Sequence, residues 1–234
     1  MIPISPSNYE KFLACPYQYY GMYVTKEIKF QENEAMRRGT RLHKCLELTL
    51  KGSEFSAGWL PEDRAILEFC RPVLDIVRRA MANGWTVYIE YEAAVNRQGQ
   101  SAGWWKTDFL RSKIDVVLAD LKNQIAMVID WKSGKTPGKI SQFQLNAFSV
   151  FPELGIKDYT GYFVYLDQKK IEKHSFTLPF TNLAMVGEDY WRSTGFKDLT
   201  ANVRRLESAW LTGDWPKTPQ RGCRWCDMNC EHKG

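Results

Sequence analysis

Two short apolar segments that end in charged residues constrain the fold of this chain more than any other sequence feature. The first covers residues 113–118 and the second covers residues 126–132. Both are rich in β-branched side chains, which favour strands. The polar stretch between them, residues 120–124, is typical of a tight turn. The sequence therefore predicts a β-hairpin.

The position of the turn determines which residues of the hairpin face each other. A turn at residues 122–123 places Asp115 directly opposite Asp130. Directly opposite Cβ atoms in an antiparallel pair lie about 4.5–5.5 Å apart. Lys132 comes two residues after Asp130 and points to the same face, because side chains alternate along a strand, and Trp131 points away. The pattern therefore predicts two carboxylates and one ammonium group together on a buried hairpin.

The predicted acidic pair of the hairpin is unfavourable without a cation, since neighbouring carboxylates resist ionising together. A divalent ion such as Mg²⁺ or Mn²⁺ takes carboxylate and water ligands and removes this repulsion. A lysine beside the ion can polarise a bound water molecule or stabilise charge that develops on a phosphate. The alternative is an ordinary ion pair at the edge of a sheet, which contributes little to stability.

The hairpin also resembles a known catalytic motif. Asp115, then Asp130-x-Lys132, then the residues Ser-Gly-Lys at 133–135 are similar to motifs II and III of the PD-(D/E)XK nucleases. The resemblance is to the RecB-like branch, which includes the AddB nuclease domain and the iron–sulfur nucleases of CRISPR adaptation. It implies that both aspartates and the Trp131 carbonyl hold the metal, and that Lys132 assists the attacking water.

The helix predicted over residues 32–51 carries another part of this motif set. Gly39-Thr40-x-x-His43 resembles the first motif of the family, in which the glycine permits close approach and the histidine reaches the metal. A neutral imidazole is a suitable ligand for Mn²⁺. The alternative is a helix histidine that pairs with Glu47, four residues further along the same face.

The strand beside the hairpin is predicted over residues 85–94. RecB-like sheets often carry a glutamate on this strand, and alternation puts Glu90 and Glu92 on one face. We prefer Glu92 as a possible outer metal ligand. The alternative is a row of acidic side chains that faces solvent.

Further candidate site residues follow the hairpin. The family has Gln-x-x-x-Tyr on the next helix, and Gln144 matches the glutamine, while Phe148 replaces the tyrosine. The resemblance implies that Gln144 orients the lysine or the phosphate. Lys135 and Lys139, in the loop after the second strand, are placed to bind DNA phosphates.

A polar loop predicted over residues 97–111 contains Trp104 and Trp105 next to basic residues. Adjacent tryptophans beside lysine and arginine can stack on unpaired bases. They can equally fill the edge of a core. The sequence leaves both interpretations open.

The C-terminal tail contains a cysteine pattern that indicates a metal centre. Cys223, Cys226 and Cys230 lie within eight residues, which is a spacing of metal ligands. In the RecB-like branch the fourth ligand is an N-terminal cysteine in a Cys-Pro-aromatic pattern, which Cys15 matches. The resemblance implies a [4Fe–4S] cluster, while the nearby His232 leaves Zn²⁺ bound by Cys₃His as an alternative.

Composition narrows the class of protein. The chain has 234 residues, enough for one core and marginal for two domains, and its net charge of +5 mildly favours an anionic partner. It contains neither a secretion-signal pattern nor an apolar run near the ~18 residues of a membrane span. We therefore expect a soluble cytoplasmic protein with no membrane partner. In that compartment cysteines favour metal binding or, for Cys45 and Cys70, core packing over disulfides.

The resemblance extends over residues 5–230 and implies the fold. This is a restriction-endonuclease-like α/β fold, with a central mixed β-sheet flanked by helices and with the two termini joined by the metal cluster. We expect one nuclease domain over residues 1–234. It consists of an N-terminal cluster-ligand helix (1–31), a nuclease core (32–180), and C-terminal helices with the cysteine cluster (181–234).

The implied activity is metal-dependent hydrolysis of DNA. We expect an exonuclease that acts on single-stranded or end-containing DNA in recombination, repair or end processing. Three alternatives remain at this point. They are a DNA-trimming nuclease of CRISPR adaptation, a DNA-binding subunit with a weak or unused nuclease site, and a restriction-type endonuclease.

Overall fold

The computed structural model describes residues 1–53, 59–177, 197–219, 223, 228, 230 and 231. Its α-helices are α1 (Pro6–Ala14), α2 (Pro16–Tyr19), α3 (Glu34–Leu50), α4 (Arg64–Ala82), α5 (Ile140–Leu154) and α6 (Lys197–Thr212). Its strands are β1 (Thr86–Val95), β2 (Leu110–Asp120), β3 (Ile125–Lys132), β4 (Asp158–Tyr165) and β5 (Lys170–Thr177). A π-helical turn follows α2 (Tyr20–Val24), and a 3₁₀ turn precedes α4 (Pro61–Asp63). Part of the predicted C-terminal helical region, 181–196, lies outside the described residues.

The five strands form one mixed sheet in the order β1-β2-β3-β4-β5. Strands β1, β2 and β3 are antiparallel neighbours, β3 and β4 are parallel, and β5 is antiparallel to β4. Helix α5 makes the crossover between the two parallel strands, as parallel pairing requires. A mixed sheet flanked by helices agrees with the predicted restriction-endonuclease-like architecture. None of the described helices is both long and apolar enough to span a bilayer.

Two apolar clusters bury side chains from the sheet and its helices. The first cluster includes Phe12 of α1, Phe143 of α5 and Leu206 of α6. The second cluster includes Leu46 of α3 and Leu74 of α4. Each fully buried side chain of this size contributes about 1.5–3 kcal/mol relative to exposure. The packing of these helices therefore stabilises the sheet.

The start of α1 is tied to the sheet. Ser5 is the N-cap in a reciprocal capping box with Asn8, a role that serine favours. Just before it, Ile4 pairs with Leu110 at the start of β2. Backbone hydrogen bonds from Ile4 N–H to Phe109 O (2.6 Å) and from Arg111 N–H to Ile4 O (2.9 Å) form this bridge.

The hairpin of β2 and β3 has the predicted register. Asp120 lies opposite Ile125 and Val116 lies opposite Ile129, which is the pairing expected for a turn at residues 122–123. The paired ladder ends at Val116 and Ile129, and Asp115 and Asp130 are the next residues of their strands. Across this end of the ladder, Asp115 accepts a hydrogen bond from the Trp131 N–H, so its carboxylate lies beside the end of β3.

The predicted alternation of β1 fails at Glu90. Its φ of 57° lies in the left-handed region, which non-glycine residues seldom adopt. Glu90 and Asp115 fall between the observed pairs Ile89–Val116 and Tyr91–Ile114 of β1 and β2. In a regular strand, Ile114 and Val116 would point to the same face of the sheet, because they are two residues apart. Instead, Ile114 packs in the first apolar cluster and Val116 packs in the second. The sheet is therefore irregular at these two acidic residues.

Candidate active site

The centre of the site lies at the end of β3. Lys132 Nζ lies 2.8 Å from Asp130 Oδ2. Gln142, in the first turn of α5, connects the two side chains: its Oε1 accepts a hydrogen bond from Lys132 Nζ at 2.7 Å, and its Nε2 donates to Asp130 Oδ1. Trp131, between them in sequence, packs in the second apolar cluster. The lysine and the aspartate therefore share a face, as predicted.

The glutamine that makes these contacts is Gln142, whereas the family motif predicts Gln144. Helix α5 begins at Ile140, so Gln142 lies in its first turn and reaches the end of β3. Two residues correspond to about 200° of rotation around a helix axis, so Gln144 projects in a different direction. The motif match and the observed contact therefore lie on the same helix, two residues apart.

Asp115 and His43 extend the centre towards α3. Asp115 Oδ2 accepts a hydrogen bond from the Trp131 N–H at 2.8 Å, and Asp115 Oδ1 lies 3.2 Å from His43 Nδ1. A Cβ atom on Gly39 would lie 2.5 Å from Ser133 Oγ. The glycine therefore lets α3 approach the end of β3 closely, as the first motif implies.

The electrostatics of the centre favour a bound cation. Burial, and then the charge of Asp115, raise the pKa of Asp130 to about 6, although Lys132 and His43 act in the opposite direction. Burial alone would lower the pKa of His43, but its hydrogen bond to Asp115 and the nearby carboxylates raise it. Negative charge therefore accumulates at a buried position, and a cation would relieve it.

The donor set fits a hard divalent ion in its chemistry. It contains two carboxylates and an imidazole, and Asp130 Oδ2 is buried without a hydrogen bond of normal geometry, despite its ion pair with Lys132. Within the described part of the chain, no three His, Cys, Asp or Glu side chains are gathered in a ligating arrangement. The carboxylate of Asp115 contacts His43 and the Trp131 N–H, and the carboxylate of Asp130 contacts Gln142. Metal binding would therefore replace some of these hydrogen bonds with bonds to the ion.

The structure brings Glu90, and not Glu92, to the site. Glu90 lines the same cavity as His43 and Asp115, and its Oε2 lies 2.7 Å from Lys113 Nζ. Glu92 is exposed. The preference for Glu92 assumed a regular strand, and the left-handed φ of Glu90 breaks that regularity.

The loop after β3 carries the two lysines that the sequence predicts to contact phosphates. Asp167 fixes this loop, because it accepts a hydrogen bond from Gly134 N–H at 2.8 Å and pairs with both terminal nitrogens of Arg38 at 2.8 and 3.1 Å. Lys139 lines a groove beside the centre, and Lys135 is exposed on the same loop.

Two cavities of about 660 and 630 Å³ share Lys113 and Ser133, so they form one groove across the centre. We call them the basic half and the acidic half. The charged side chains of the basic half are Arg111, Lys113, Lys132, Lys139 and Glu10. Those of the acidic half, besides His43, are Glu32, Lys44, Glu47, Glu90, Lys113 and Asp115. The groove therefore has a strong charge asymmetry.

Two of the predicted cluster ligands lie beside one residue of the tail. Cys15 and Cys223 are both buried. The Cys15 Sγ accepts a hydrogen bond from Thr218 N–H at 3.5 Å, and the Cys223 thiol donates to the Thr218 carbonyl at 3.9 Å. Cys230 is half-buried. Cys226 and His232 lie outside the described residues.

The tail packs on the N-terminal helices. Trp215 stacks on Tyr19 with ring centroids 5.7 Å apart, and the Pro216 carbonyl accepts a hydrogen bond from Tyr17 N–H at 3.2 Å. Met228 lies so close to Gly21 that a Cβ atom there would be 2.1 Å from its sulfur. Contacts between protein groups therefore join the two ends of the described chain.

Comparison with known proteins identifies the family. The chain matches the model of the PD-(D/E)XK nuclease superfamily over residues 3–230. No curated protein matches it significantly in sequence.

Three solved structures are similar to the chain. A protein called SSO0001 has 14% identity and a TM-score of 0.42, covering 100% of this chain and 88% of that one. LHK-Exo in complex with dAMP has 14% identity and a TM-score of 0.36, covering 91% and 95%; LHK-Exo is an alkaline exonuclease from Laribacter hongkongensis. A phage related exonuclease from Haemophilus somnus 129PT has 10% identity and a TM-score of 0.30, covering 91% and 96%.

Proposed function

Since this chain belongs to the PD-(D/E)XK nuclease superfamily, we propose that it hydrolyses phosphodiester bonds of DNA with the help of a divalent metal ion. The observation that carries the proposal is the linked set of Asp130, Lys132 and Gln142 beside Asp115 at the end of the hairpin. Asp130 is only 6% exposed. Two neighbouring carboxylates, one of them buried, are not expected in an ordinary surface ion pair, because their repulsion is unfavourable. They are expected where a metal ion binds.

The proposed ligands of Mg²⁺ or Mn²⁺ are His43, Asp115, Asp130 and the Trp131 carbonyl. When bound, the ion supplies Lewis acidity and lowers the pKa of a bound water molecule. Both carboxylates now accept hydrogen bonds from protein groups. Some of these hydrogen bonds would have to break before the carboxylates could bind the ion. Glu90 of β1 lines the same cavity and provides an additional acidic side chain.

Lys132 is the proposed catalytic cation. Its side chain is 25% exposed, and its ammonium is fixed by Asp130, by Gln142 and by the face of the Phe163 ring, whose centroid is 5.3 Å away. A cation held in one direction can orient the attacking water and stabilise charge that develops on the phosphate. Gln142 acts as a positioning residue, because it accepts a hydrogen bond from the lysine.

The proposed substrate is single-stranded or end-containing DNA, and the proposed mode is exonucleolytic, in recombination, repair or end processing. Lys135 and Lys139 would contact the phosphates on the basic half of the groove. The formal net charge of +5 supports an anionic partner. The proposed compartment is the cytoplasm, where cysteine thiols stay reduced.

We also propose a [4Fe–4S] cluster held by Cys15, Cys223, Cys226 and Cys230. The support is that Cys15 and Cys223 both contact the backbone of Thr218, and that the tail packs against the N-terminal helices. In this arrangement residues 1–234 form a single nuclease domain whose two ends are joined by the cluster.

A cleavage assay tests the proposed activity. Purified protein is incubated with end-labelled linear DNA, single-stranded or duplex, and with closed circular DNA, in Mg²⁺, Mn²⁺ or EDTA. We expect linear DNA to be degraded from its ends with either ion and to stay intact in EDTA. Folded protein that leaves every substrate intact with both ions would contradict the proposal.

His43→Ala should lower the rate of Mn²⁺-supported cleavage by orders of magnitude, because it removes the side chain that α3 brings to Asp115. Glu47→Ala is the matched control: it lies one helical turn later in the same cavity, where Lys44 (2.8 Å) and Lys51 (2.7 Å) neutralise it. Its effect should be much smaller. Single-turnover rates give the comparison, and equal small losses would contradict the assignment of His43 as a metal ligand.

Gln142→Ala should lower kcat by roughly 10²-fold, the usual cost of misplacing a catalytic group by about 1 Å. It removes the contact that aligns Lys132 with Asp130. Gln144→Ala, on the same helix, should retain near wild-type kcat. Both rates are measured with saturating DNA, and melting temperatures confirm the fold. The reverse order of effects would restore Gln144 as the positioning residue.

A further inference from the structure

The loop between β1 and β2 presents an aromatic surface to solvent. Trp105 is 86% exposed, an unusual state for the largest apolar side chain. The Arg111 guanidinium carbon lies 5.1 Å from the Trp104 ring centroid and 5.9 Å from the Trp105 ring centroid. Both distances are within the range of cation–π contacts. We call these three side chains the tryptophan platform.

The backbone of this loop is held in place. Lys106 and Thr107 both donate backbone hydrogen bonds to the Gly103 carbonyl, at 2.8 and 3.0 Å, and so form a turn around the tryptophans. The buried Thr107 hydroxyl donates to the Val95 carbonyl at 2.6 Å, which fastens the turn to the end of β1. The platform is therefore already ordered, so a ligand that stacks on it loses little affinity to loop ordering.

The platform lies at the entrance to the proposed active site. Trp104 and Arg111 line the basic half of the groove together with Lys132. Arg111 and Lys113 are alternate residues of β2 and lead along the strand to Asp115. At a rise of ~3.3 Å per residue, Arg111 lies about 13 Å from Asp115. A strand bound at Asp115 therefore passes the platform within a few nucleotides.

We propose that the tryptophan platform stacks on an unpaired base of the DNA strand that the basic half of the groove holds by its phosphates. The substrate class is thus single-stranded DNA, or a DNA end with unpaired nucleotides. This inference rests on the proposed function and specifies its substrate. The exposure of Trp105 excludes the alternative in which this side chain fills a core edge.

The charges and aromatic rings of this surface favour single-stranded DNA as its ligand. Arg111, Lys113, Lys132 and Lys139 face the basic half of the groove, with Glu10 as the one carboxylate among its described lining residues. A cationic groove beside exposed aromatic rings is the arrangement by which proteins bind single strands, with base stacking worth ~1–3 kcal/mol per base. Bases inside a duplex stack on each other and leave no free face for the rings.

Binding measured without cleavage tests the proposal. The probes are a fluorescein-labelled oligo-dT and a blunt duplex of the same length, titrated in EDTA and followed by anisotropy. The proteins are the wild type, Trp105→Ala, Trp105→Phe and the control Leu211→Ala, which removes an equally exposed side chain (87%) from α6. Removal of Trp105 cannot disturb a core, so loss of binding is not loss of folding.

Trp105→Ala should raise the Kd for oligo-dT about tenfold or more and change the duplex Kd less than about twofold. Trp105→Phe should retain most of the affinity, and Leu211→Ala should match the wild type. Equal Kd values in wild type and Trp105→Ala, equal weakening of both probes, or tighter wild-type binding to the duplex would overturn the proposal. Failure to cleave DNA would count against the proposed function alone, since binding is measured without metal.

Discussion

Lys132→Ala should reduce DNA cleavage by roughly 10³-fold or more while the fold stays intact, since one preorganised charge contributes about 10²–10³ in kcat and Lys132 also orients the attacking water in the proposed mechanism. Asp130→Ala should have an equally large effect, because it removes a proposed metal ligand together with the partner of the lysine. Asp130→Ala should not unfold the protein, since Asp130 is held near Asp115 at an electrostatic cost. Lys132→Ala removes one partly exposed side chain at the end of β3, so the fold should also persist, and melting curves check this.

A matched control for Lys132 lies on the same sheet. Lys170 of β5 also pairs with a carboxylate, Glu172 at 2.5 Å, and also lies over an aromatic ring, that of Tyr165 at 6.0 Å. Lys170→Ala should cleave DNA at the wild-type rate. Single-turnover rates with Mg²⁺ and Mn²⁺, together with melting curves, give the comparison. Wild-type cleavage by cleanly purified Lys132→Ala would show that the hairpin is not the active site.

Cys15→Ser should lose the bound metal and destabilise the whole fold. The proposed cluster ties Cys15 to the last dozen residues and closes a loop of about 200 residues. Treated like a disulfide, such a closure is worth about 5 kcal/mol, and ligand binding adds to it. The measurements are metal content by elemental analysis, absorbance after anaerobic purification, and the denaturation midpoint.

The controls for this prediction are the two remaining cysteines. Cys45 of α3 and Cys70 of α4 lie on helices other than the N-terminal segment and the tail that carry the proposed ligands. Burial raises the pKa of both thiols, that of Cys70 to about 12, which disfavours the thiolate that binds metal. Cys45→Ser and Cys70→Ser should retain full metal content. A brown protein with about four irons per chain supports the cluster, while a colourless protein with one zinc points to Cys₃His through His232. Undiminished metal in Cys15→Ser would contradict the four-cysteine assignment.

The register of the hairpin could be predicted from the sequence because it depends on local rules. The apolar, β-branched segments, the polar turn and the two-residue period together predict the observed pairing of Val116 with Ile129. The contact between Asp130 and Lys132 follows from the same period. Local patterning was therefore sufficient for the strand part of the site.

The remaining parts of the site depend on tertiary structure. Whether Gln142 or Gln144 reaches Lys132 depends on how α5 is rotated about its axis relative to β3. This rotation is set by tertiary packing and cannot be predicted from the local sequence. The choice between Glu90 and Glu92 depends on a left-handed backbone at Glu90, which glycine or asparagine would have signalled. The exposure of Trp105 depends on how the loop packs, so both sequence interpretations were open until the structure was known.

The central claim is that Asp115 and Asp130 form the metal site of a nuclease, and anomalous diffraction from crystals soaked in Mn²⁺ tests it most directly. We predict a manganese peak about 2–2.5 Å from a carboxylate oxygen of each aspartate, the distance range of hard cations to oxygen ligands. The peak should disappear in Asp130→Ala. No peak between the two carboxylates at a Mn²⁺ concentration that supports cleavage would contradict the claim.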